Sequence, residues 1–186
     1  MKREVLIQQF LERNAESTPD KIALVHGSER LSYRQIDENS NRLAAALRDN
    51  GVGRNDRVGI FMDNSVEATV SLFAVLKADA AFIMINPTMK TDKLEFILNN
   101  CTATGLLIQG QHMGVVERIR VPSLRLIVST RERKHAGRGN WSAQVLSYEE
   151  ILSGPSHVLI VPRNIDIDLA AIIYTDVERD GMLKGL

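Results

Sequence analysis

The chain has 186 residues, 44% of them hydrophobic, and its 23 Lys and Arg side chains balance its 23 Asp and Glu side chains. This length and hydrophobic content suffice for one domain, or two closely joined lobes, with a buried core. The zero net charge offers no long-range attraction to nucleic acid or to an anionic membrane, and the single cysteine, Cys101, excludes an internal disulfide.

The sequence contains no segment that predicts a signal peptide or a membrane span. The apolar stretch near the start is interrupted by Gln8 and Gln9. The most apolar region, 66–85, contains Lys77 and Asp79 and therefore predicts a helix and a strand of a globular core. Together with the lone cysteine, which suits a reducing compartment, these features predict a cytoplasmic protein.

The first third of the chain predicts a helix, a hairpin and a second helix. Apolar residues at 5–11 give the first helix one apolar face, and "IALVHGSERLSY" predicts two short strands around a Gly-Ser turn. Ser32 and Gln35 have the spacing of a capping box, and Gly51 is a natural helix stop. Between them, apolar residues recur at helical spacing: Ile36, Leu43, Ala44 and Leu47.

The middle of the chain predicts strands that alternate with helices. We expect Asn64 and Glu67 to cap the helix after the first of these strands, and Thr91 to begin the next helix. The strands are short and apolar without clean alternation, which indicates a mostly parallel sheet covered on both faces. The predicted strands are 57–62, 81–86, Gly105–Gln109 and 124–129.

The pattern weakens after Thr130, and we predict a mainly irregular loop region at 130–165. Within it, Ser147 and Glu150 can cap a short helix, "YEEIL", and "HVLIVP" is compatible with a strand. The segment "LAAIIYT" at 169–175 predicts the last strand of the sheet.

The last predicted strand leads into a segment with glycines and a lysine. Glycines allow several backbone N–H groups to point at one phosphate, and a lysine adds positive charge. Gly181, Lys184 and Gly185 make this segment a candidate phosphate-binding loop. The ordinary alternatives, a strand end at Thr175 and a solvated lysine near a chain end, stay open at this point.

A long stretch of the chain resembles the N-terminal region of the adenylate-forming superfamily: the acyl-CoA synthetases, the adenylation domains of nonribosomal peptide synthetases, and luciferase. The most telling segments are "LSYRQIDENSNRLAAALRDNGVGRNDRVGI" and "LFAVLKADAAFIMINP". The similarity runs through roughly 6–109 and returns at "IDLAAIIYT". It implies an α/β fold with a mostly parallel sheet flanked by helices, and a partial AMP-binding domain over 1–186 that comprises the first lobe only.

The resemblance also implies an activity and a site. Enzymes of this family use ATP and Mg²⁺ to convert a carboxylic acid to an acyl-adenylate, and then pass the acyl group to a thiol, commonly that of coenzyme A. Their phosphate loop is roughly Thr-Ser-Gly-Ser-Thr-Gly-x-Pro-Lys-Gly. Thr175 matches its first position, and Gly181, Lys184 and Gly185 match its end if one extra residue is allowed.

The core of this loop departs from the family pattern. "DVERD" replaces its serines, glycine and threonine, which introduces Asp176, Glu178 and Asp180. A carboxylate about 5 Å from a phosphate would cost on the order of 3 kcal/mol at an effective dielectric constant near 20. That is roughly a hundredfold in affinity for each group, more than Arg179 and Lys184 can offset. We therefore expect no tight binding of ATP or Mg²⁺ by this chain.

Two further departures concern length and one residue. In the family, most groups that bind the acid, adenine and Mg²⁺ lie beyond the position of Leu186, so we expect this chain to be inactive alone. The alternative is a non-catalytic interaction module that dimerises or pairs with a separately encoded remainder.

Asp79 stands where the family often has glycine, and we expect the fold to tolerate it because aspartate accepts left-handed backbone better than most residues.

The tail "IIYTDVERDGML" also resembles the "TDI-x-RDG" segment of the (β/α)₈-barrel isomerase of histidine biosynthesis, in which the aspartate after threonine is catalytic. That would give Asp176 a role in isomerisation, but nothing upstream resembles the barrel, so we favour coincidence, or a damaged or recombined gene end. Alternating carboxylates in a loop are usually solvated, and the four histidines lack metal-ligand spacing. We therefore predict no metal site and assign no catalytic residue.

Overall fold

The computed structural model describes residues 6–131, 142–154, 160–161 and 163–175, together with the backbone of 184–185. The helices in these ranges are Ile7–Ser17 (α1), Tyr33–Asp49 (α2), Val66–Lys77 (α3), Thr91–Asn100 (α4), Met113–Val116 (α5) and Tyr148–Leu152 (α6). The strands are Ile22–His26 (β1), Glu29–Ser32 (β2), Arg57–Phe61 (β3), Ala81–Met84 (β4), Gly105–Gln109 (β5), Leu126–Thr130 (β6), Gln144–Ser147 (β7), Ala171–Ile172 (β8), Tyr174–Thr175 (β9) and Lys184–Gly185 (β10).

The described residues form a parallel sheet of six strands in the order β7-β6-β5-β3-β4-β8. The chain passes from β3 to β4 on one side and then crosses back to place β5 on the other side of β3. Such a reversal is the topological switch point of a doubly wound sheet. The mostly parallel α/β fold expected from the sequence is confirmed.

Helices cover both faces of the sheet, because successive residues of a strand enter different cores. Val58 and Ile60 of β3 pack with α2 and α3, whereas Phe61 packs with α4 and α5. All three side chains are fully buried, as expected for a strand in the middle of a parallel sheet. The first core includes Leu43, Leu47, Val75 and Val128, and the second includes Ile83, Leu94, Leu98 and Ile127.

The second helix begins and ends as its sequence predicts. The Ser32 side chain accepts a hydrogen bond from the Gln35 backbone, and the Gln35 side chain accepts one from the Ser32 backbone. At the other end, Gly51 has a φ of 82° and its N–H donates to Arg48 O, while the N–H of the next residue donates to Leu47 O. This is the Schellman arrangement, which needs left-handed backbone at its glycine. The hairpin β1–β2 that precedes α2 is also confirmed.

Two local predictions are wrong. Helix α3 is capped by Ser65, whose hydroxyl accepts a hydrogen bond from the Ala68 N–H, and not by Asn64. Ser65 has the extended backbone that an N-cap requires, so the helix begins one residue later than predicted. The last strand is not continuous over 169–175: the chain leaves the ladder after Ile172, and β9 pairs with β10 instead.

The segment 130–165 contains more regular structure than the sequence indicates. Strand β7 was not predicted; it pairs parallel with β6 at the edge of the sheet. Two of its four residues are exposed and two are half-buried, and Val145 and Leu146 are too short an apolar run to indicate a strand. Helix α6 follows at once, and Ser147 caps it as predicted by accepting from the Glu150 N–H. Most of "HVLIVP" lies outside the described residues.

Gly110, directly after β5, should tolerate no side chain. A Cβ atom there would lie 2.3 Å from Arg131 O and 2.5 Å from Thr130 O, and neither backbone atom can move without shifting the end of β6. We expect Gly110→Ala to lower the free energy of unfolding by about 1–3 kcal/mol. Gly114→Ala in α5 is the matched control, since nothing lies within 4 Å of its added Cβ. Denaturant titration should show the loss for position 110 alone; equal midpoints for the two variants would contradict the prediction.

Candidate phosphate-binding site

The candidate site begins at β8, which lies at the edge of the sheet beside β4. Ala171 and Ile172 pair in parallel with Phe82 and Ile83, and the Phe82 N–H donates to Ala170 O at 3.0 Å. Since β8 runs parallel to β4, the chain beyond Ile172 leaves at the carboxyl end of the sheet. That end of an open α/β sheet is where ligands bind.

Three of the four predicted ligands come together in a short hairpin. Lys184 pairs with Thr175 in antiparallel register, and Gly185 pairs with Tyr174. Thr175 is exposed. Gly181 lies outside the described residues, as do the three carboxylate-bearing residues Asp176, Glu178 and Asp180. The backbone of Lys184 is therefore beside Thr175, and the eight residues 176–183 connect them.

Tyr174 connects β9 to the end of α4. Its hydroxyl donates to Asn100 Oδ1 at 2.6 Å, and burial raises the pKa of Tyr174 to about 12. The phenol is therefore neutral near pH 7 and acts as a donor. The neighbouring Cys101 follows α4 and is 8% exposed, and burial raises the pKa of its thiol. A protonated, buried thiol has a structural role, in agreement with its predicted position at a helix end.

The donor set of this hairpin is a poor match for a triphosphate. The eight residues between the paired ends include three carboxylates, one arginine, Arg179, and one glycine, Gly181. Lys184, at one of the paired ends, adds a second positive charge. The ladder between Thr175 and Lys184 also uses backbone hydrogen-bonding groups at the base of the loop. Groups engaged in a ladder cannot donate to phosphate oxygens.

The structure reveals a polar cluster that the sequence did not suggest. Asp63 follows β3, and Gln109, Gln111 and His112 lie at the end of β5, so they meet at the switch point of the sheet. Gln111 Nε2 donates to Asp63 Oδ2 at 3.0 Å, and His112 Nε2 lies 3.6 Å from the same oxygen. Gln109 Oε1 accepts from the Asp63 N–H at 3.1 Å. The sequence signal that could have indicated this cluster is the presence of polar residues close to the ends of two strands, β3 and β5, that are neighbours in the sheet.

Within the described ranges, no group of three or more His, Cys, Asp or Glu side chains could hold a metal ion. In the same part of the chain, none of the helices combines the length and the apolar character needed to cross a membrane.

Comparison with known proteins identifies a family for the chain. The profile of the family described as AMP-binding enzyme matches residues 11–175. The chain is 37% identical over 105 residues to zwittermicin A synthase ZmaJ of Bacillus cereus, a match that covers 56% of this chain and 20% of that protein. It is 32% identical over 169 residues to surfactin synthase subunit 2 of Bacillus subtilis (strain 168), covering 91% of this chain and 4% of that protein.

Solved structures share the fold of this chain. The anthranilate CoA ligase AuaEII in complex with anthranoyl-AMP superposes with a TM-score of 0.86 at 26% identity, over 100% of this chain and 36% of that one. The inhibitor-bound N-terminal domain of FACL13 from Mycobacterium tuberculosis superposes with a TM-score of 0.75 at 24% identity, over 97% of this chain and 43% of that domain. The chain thus spans well under half the length of these proteins.

Proposed function

The chain belongs to the AMP-binding enzyme family, and on this premise we propose that it is the N-terminal part of an ATP-dependent ligase that activates a carboxylic acid as its acyl-adenylate. A thiol, such as that of coenzyme A, would then receive the acyl group. The observation that supports this most directly is the superposition of the whole chain on a CoA ligase that holds an acyl-AMP. We also propose a cytoplasmic location, where the lone cysteine stays reduced.

We further propose that this chain is inactive by itself. The loop that would cradle the triphosphate carries Asp176, Glu178 and Asp180 where the family has small hydroxyl residues and glycine. Their negative charge repels the negatively charged phosphates. The chain also matches only 36% of the ligase that binds anthranoyl-AMP.

The enzyme assignment is tested by following pyrophosphate release from ATP with a panel of aliphatic, aromatic and amino acids. We expect no acid-dependent release by this chain alone, and no shift of its melting temperature when ATP and Mg²⁺ are added. A full-length ligase of the same family, assayed in parallel, controls for the panel. Acid-dependent release above that of a heat-denatured sample would contradict the proposed inactivity.

A second candidate function, that of an interaction module, is favoured by an exposed apolar row that leads into and past β8. Ile167 is 84% exposed, and four further large apolar side chains of the same stretch are more than two-fifths exposed: Val161, Ile165, Leu169 and Ile173. In the described residues, β8 has β4 as its single strand partner, so its outer edge is available for pairing. Exposed apolar side chains beside an open edge favour association.

Self-association through the apolar row is tested by light scattering over a range of protein concentrations. We expect the mean mass to rise with concentration for the unaltered chain, and to stay at that of a monomer for Ile167→Lys. Val25→Lys is the matched control, because Val25 is also exposed but lies in the distant hairpin strand β1. A monomer at every concentration, or an equal effect of the two variants, would remove this candidate.

A further inference from the structure

The residues before β8 form a crossover segment, defined here as 160–161 and 163–170. It connects the part of the chain that contains β7 and α6 with β8. Strands β7 and β8 lie at opposite edges of the sheet. Its own regular structure is limited to a turn in which the Asp168 N–H donates to Ile165 O. The segment is instead held by side chains of other elements, and one residue accepts hydrogen bonds from two of its backbone N–H groups.

That residue is Asp79, in the short turn between α3 and β4. Its side chain is 3% exposed. Oδ1 accepts from the backbone N–H groups of Arg163, at 2.7 Å, and Asn164, at 3.2 Å. Oδ2 accepts from Arg48 Nη2 at 2.7 Å. Both oxygens of the Asp79 carboxylate therefore accept hydrogen bonds, and two of the three donors belong to the crossover segment.

Arg48 extends the same contact to the start of the crossover segment. Besides Asp79, its Nη2 atom donates to Lys77 O at 2.7 Å and to Val161 O at 3.0 Å. Arg48 thus joins the end of α2, the end of α3 and the crossover segment. The buried Gln8 of α1 adds a hydrogen bond from its Nε2 to Asn164 Oδ1 at 3.1 Å.

A second anchor lies closer to β8. Arg54 donates through Nε and Nη2 to the two oxygens of Asp168, at 2.9 and 2.8 Å, and Asp168 Oδ2 also accepts from the Ile165 N–H. This bidentate geometry fixes direction as well as distance. The Arg54 guanidinium lowers the pKa of Asp168, so the pair is charged near pH 7.

These anchors matter because the ladder that holds β8 is short. In the described residues it covers Ala171 and Ile172, on one side only. Asp79 lies two residues before β4, the partner of that ladder. The same turn therefore sets where β4 begins and where the crossover segment is held, and so fixes the two strands relative to each other.

The backbone of Asp79 indicates that its carboxylate is needed. Its φ is 65°, a left-handed conformation that glycine adopts without strain and that costs other residues roughly 1–2 kcal/mol. A turn with no further task would be more stable with glycine. Among the residues that the structure describes, every hydrogen bond to the Asp79 side chain comes from Arg48 or from the crossover segment.

We propose that Asp79 is a positioning residue: its buried carboxylate fixes the crossover segment on α2 and α3, and thereby sets the register of β8 and the position from which the chain continues to Thr175. The proposal concerns the placement of the chain and is independent of whether nucleotide binds.

Amide hydrogen exchange measured by NMR tests this role without any ligand. In Asp79→Gly we expect the amides of Arg163, Asn164 and Phe82 to exchange at least tenfold faster, since the first two lose their acceptor and the third donates to Ala170 O. The amide of Leu107 in β5 should change little and reports global unfolding. Asp79→Asn keeps an acceptor oxygen in place, so it should restore most of the protection.

A residue that only shapes the turn would give the opposite pattern. Asp79→Gly would then relieve the left-handed strain, raise stability and leave the Phe82 amide as slow as before, which would overturn the proposal. Asp56→Gly is the matched control, because Asp56 also accepts from an arginine, Arg125, and from a backbone N–H, that of Gly53, in the loop before β3. Equal acceleration at Phe82 in this control would also overturn it. Either outcome leaves the proposed ligase function untouched.

Discussion

Asp37→Ala is expected to lower the free energy of unfolding by about 3–5 kcal/mol, because it leaves a buried lysine without its counter-charge. Lys77 is fully buried among the first helices, and its Nζ donates to Asp37 Oδ1 at 2.6 Å, to Asn41 Oδ1 at 2.7 Å and to Asp37 O at 3.2 Å. Removing Asp37 takes away the ion pair and keeps the desolvated ammonium. The measurement is urea unfolding at pH 7 followed by circular dichroism.

Lys77→Met removes the buried charge itself and should be milder than Asp37→Ala. The double variant should recover part of the stability lost in Asp37→Ala, since neither charge is then left alone. Asp20→Ala is the control: Asp20 forms an exposed pair with Arg34, which is worth under about 1 kcal/mol. If Asp37→Ala costs no more than Asp20→Ala, the buried pair does not stabilise the helices as described.

The deficit of Asp37→Ala should also depend on pH. Desolvation already lowers the pKa of Lys77, against the attraction of Asp37 and Glu12. Burial raises the pKa of Glu12, the nearby carboxyl of α1. Without Asp37 the pKa of Lys77 falls further below its unfolded value. At pH values between the pKa of Lys77 in the folded chain and its pKa in the unfolded chain, the unfolded chain binds more protons. The free energy of unfolding therefore rises with pH over that range, and the penalty present at neutral pH is relieved as the pH rises toward about 10. We expect the difference from the unaltered chain to shrink over that range.

Neutralising the loop should restore affinity for ATP. The triple variant Asp176→Asn, Glu178→Gln, Asp180→Asn removes three charges from the segment that would face the triphosphate. If one of them lies about 5 Å from a phosphate, its removal is worth on the order of 3 kcal/mol, or roughly a hundredfold in affinity. We expect calorimetric titration with ATP and Mg²⁺ to give at least that gain.

A control with the same change in net charge separates this local effect from a general one. Glu16→Gln, Asp20→Asn, Glu29→Gln removes three exposed carboxylates from α1, from the loop after it and from β2. Charges so placed are screened over about 10 Å at moderate ionic strength, so the control should bind ATP no better than the unaltered chain. Equal gains in the two triple variants would show that the loop carboxylates have no special position.

Local rules predicted those parts of the fold in which neighbouring residues decide the outcome. The capping box at Ser32, the glycine stop at Gly51 and the hairpin before α2 depend on backbone and side chains a few residues apart, and each is confirmed. The parallel sheet followed from apolar strands separated by helices. Of the candidate site, the sequence predicted Thr175 and Lys184 as phosphate ligands but not that their backbones pair.

Features that depend on distant residues were not predictable in this way. Strand β7 is held by β6, and its own apolar run, Val145 and Leu146, is too short to indicate a strand. The division between β8 and β9 arises where the ladder with β4 stops, which no neighbouring residue specifies. The contacts of Asp79 with Arg163 and Asn164 join residues more than eighty positions apart, so the sequence predicted tolerance of its left-handed backbone but not its carboxylate partners.

Calorimetric titration of the unaltered chain with ATP in the presence of Mg²⁺ tests most directly whether the acidic loop prevents nucleotide binding. We predict a dissociation constant no tighter than the millimolar range, about −4 kcal/mol of binding free energy. A dissociation constant in the micromolar range would contradict the proposed loss of the phosphate site.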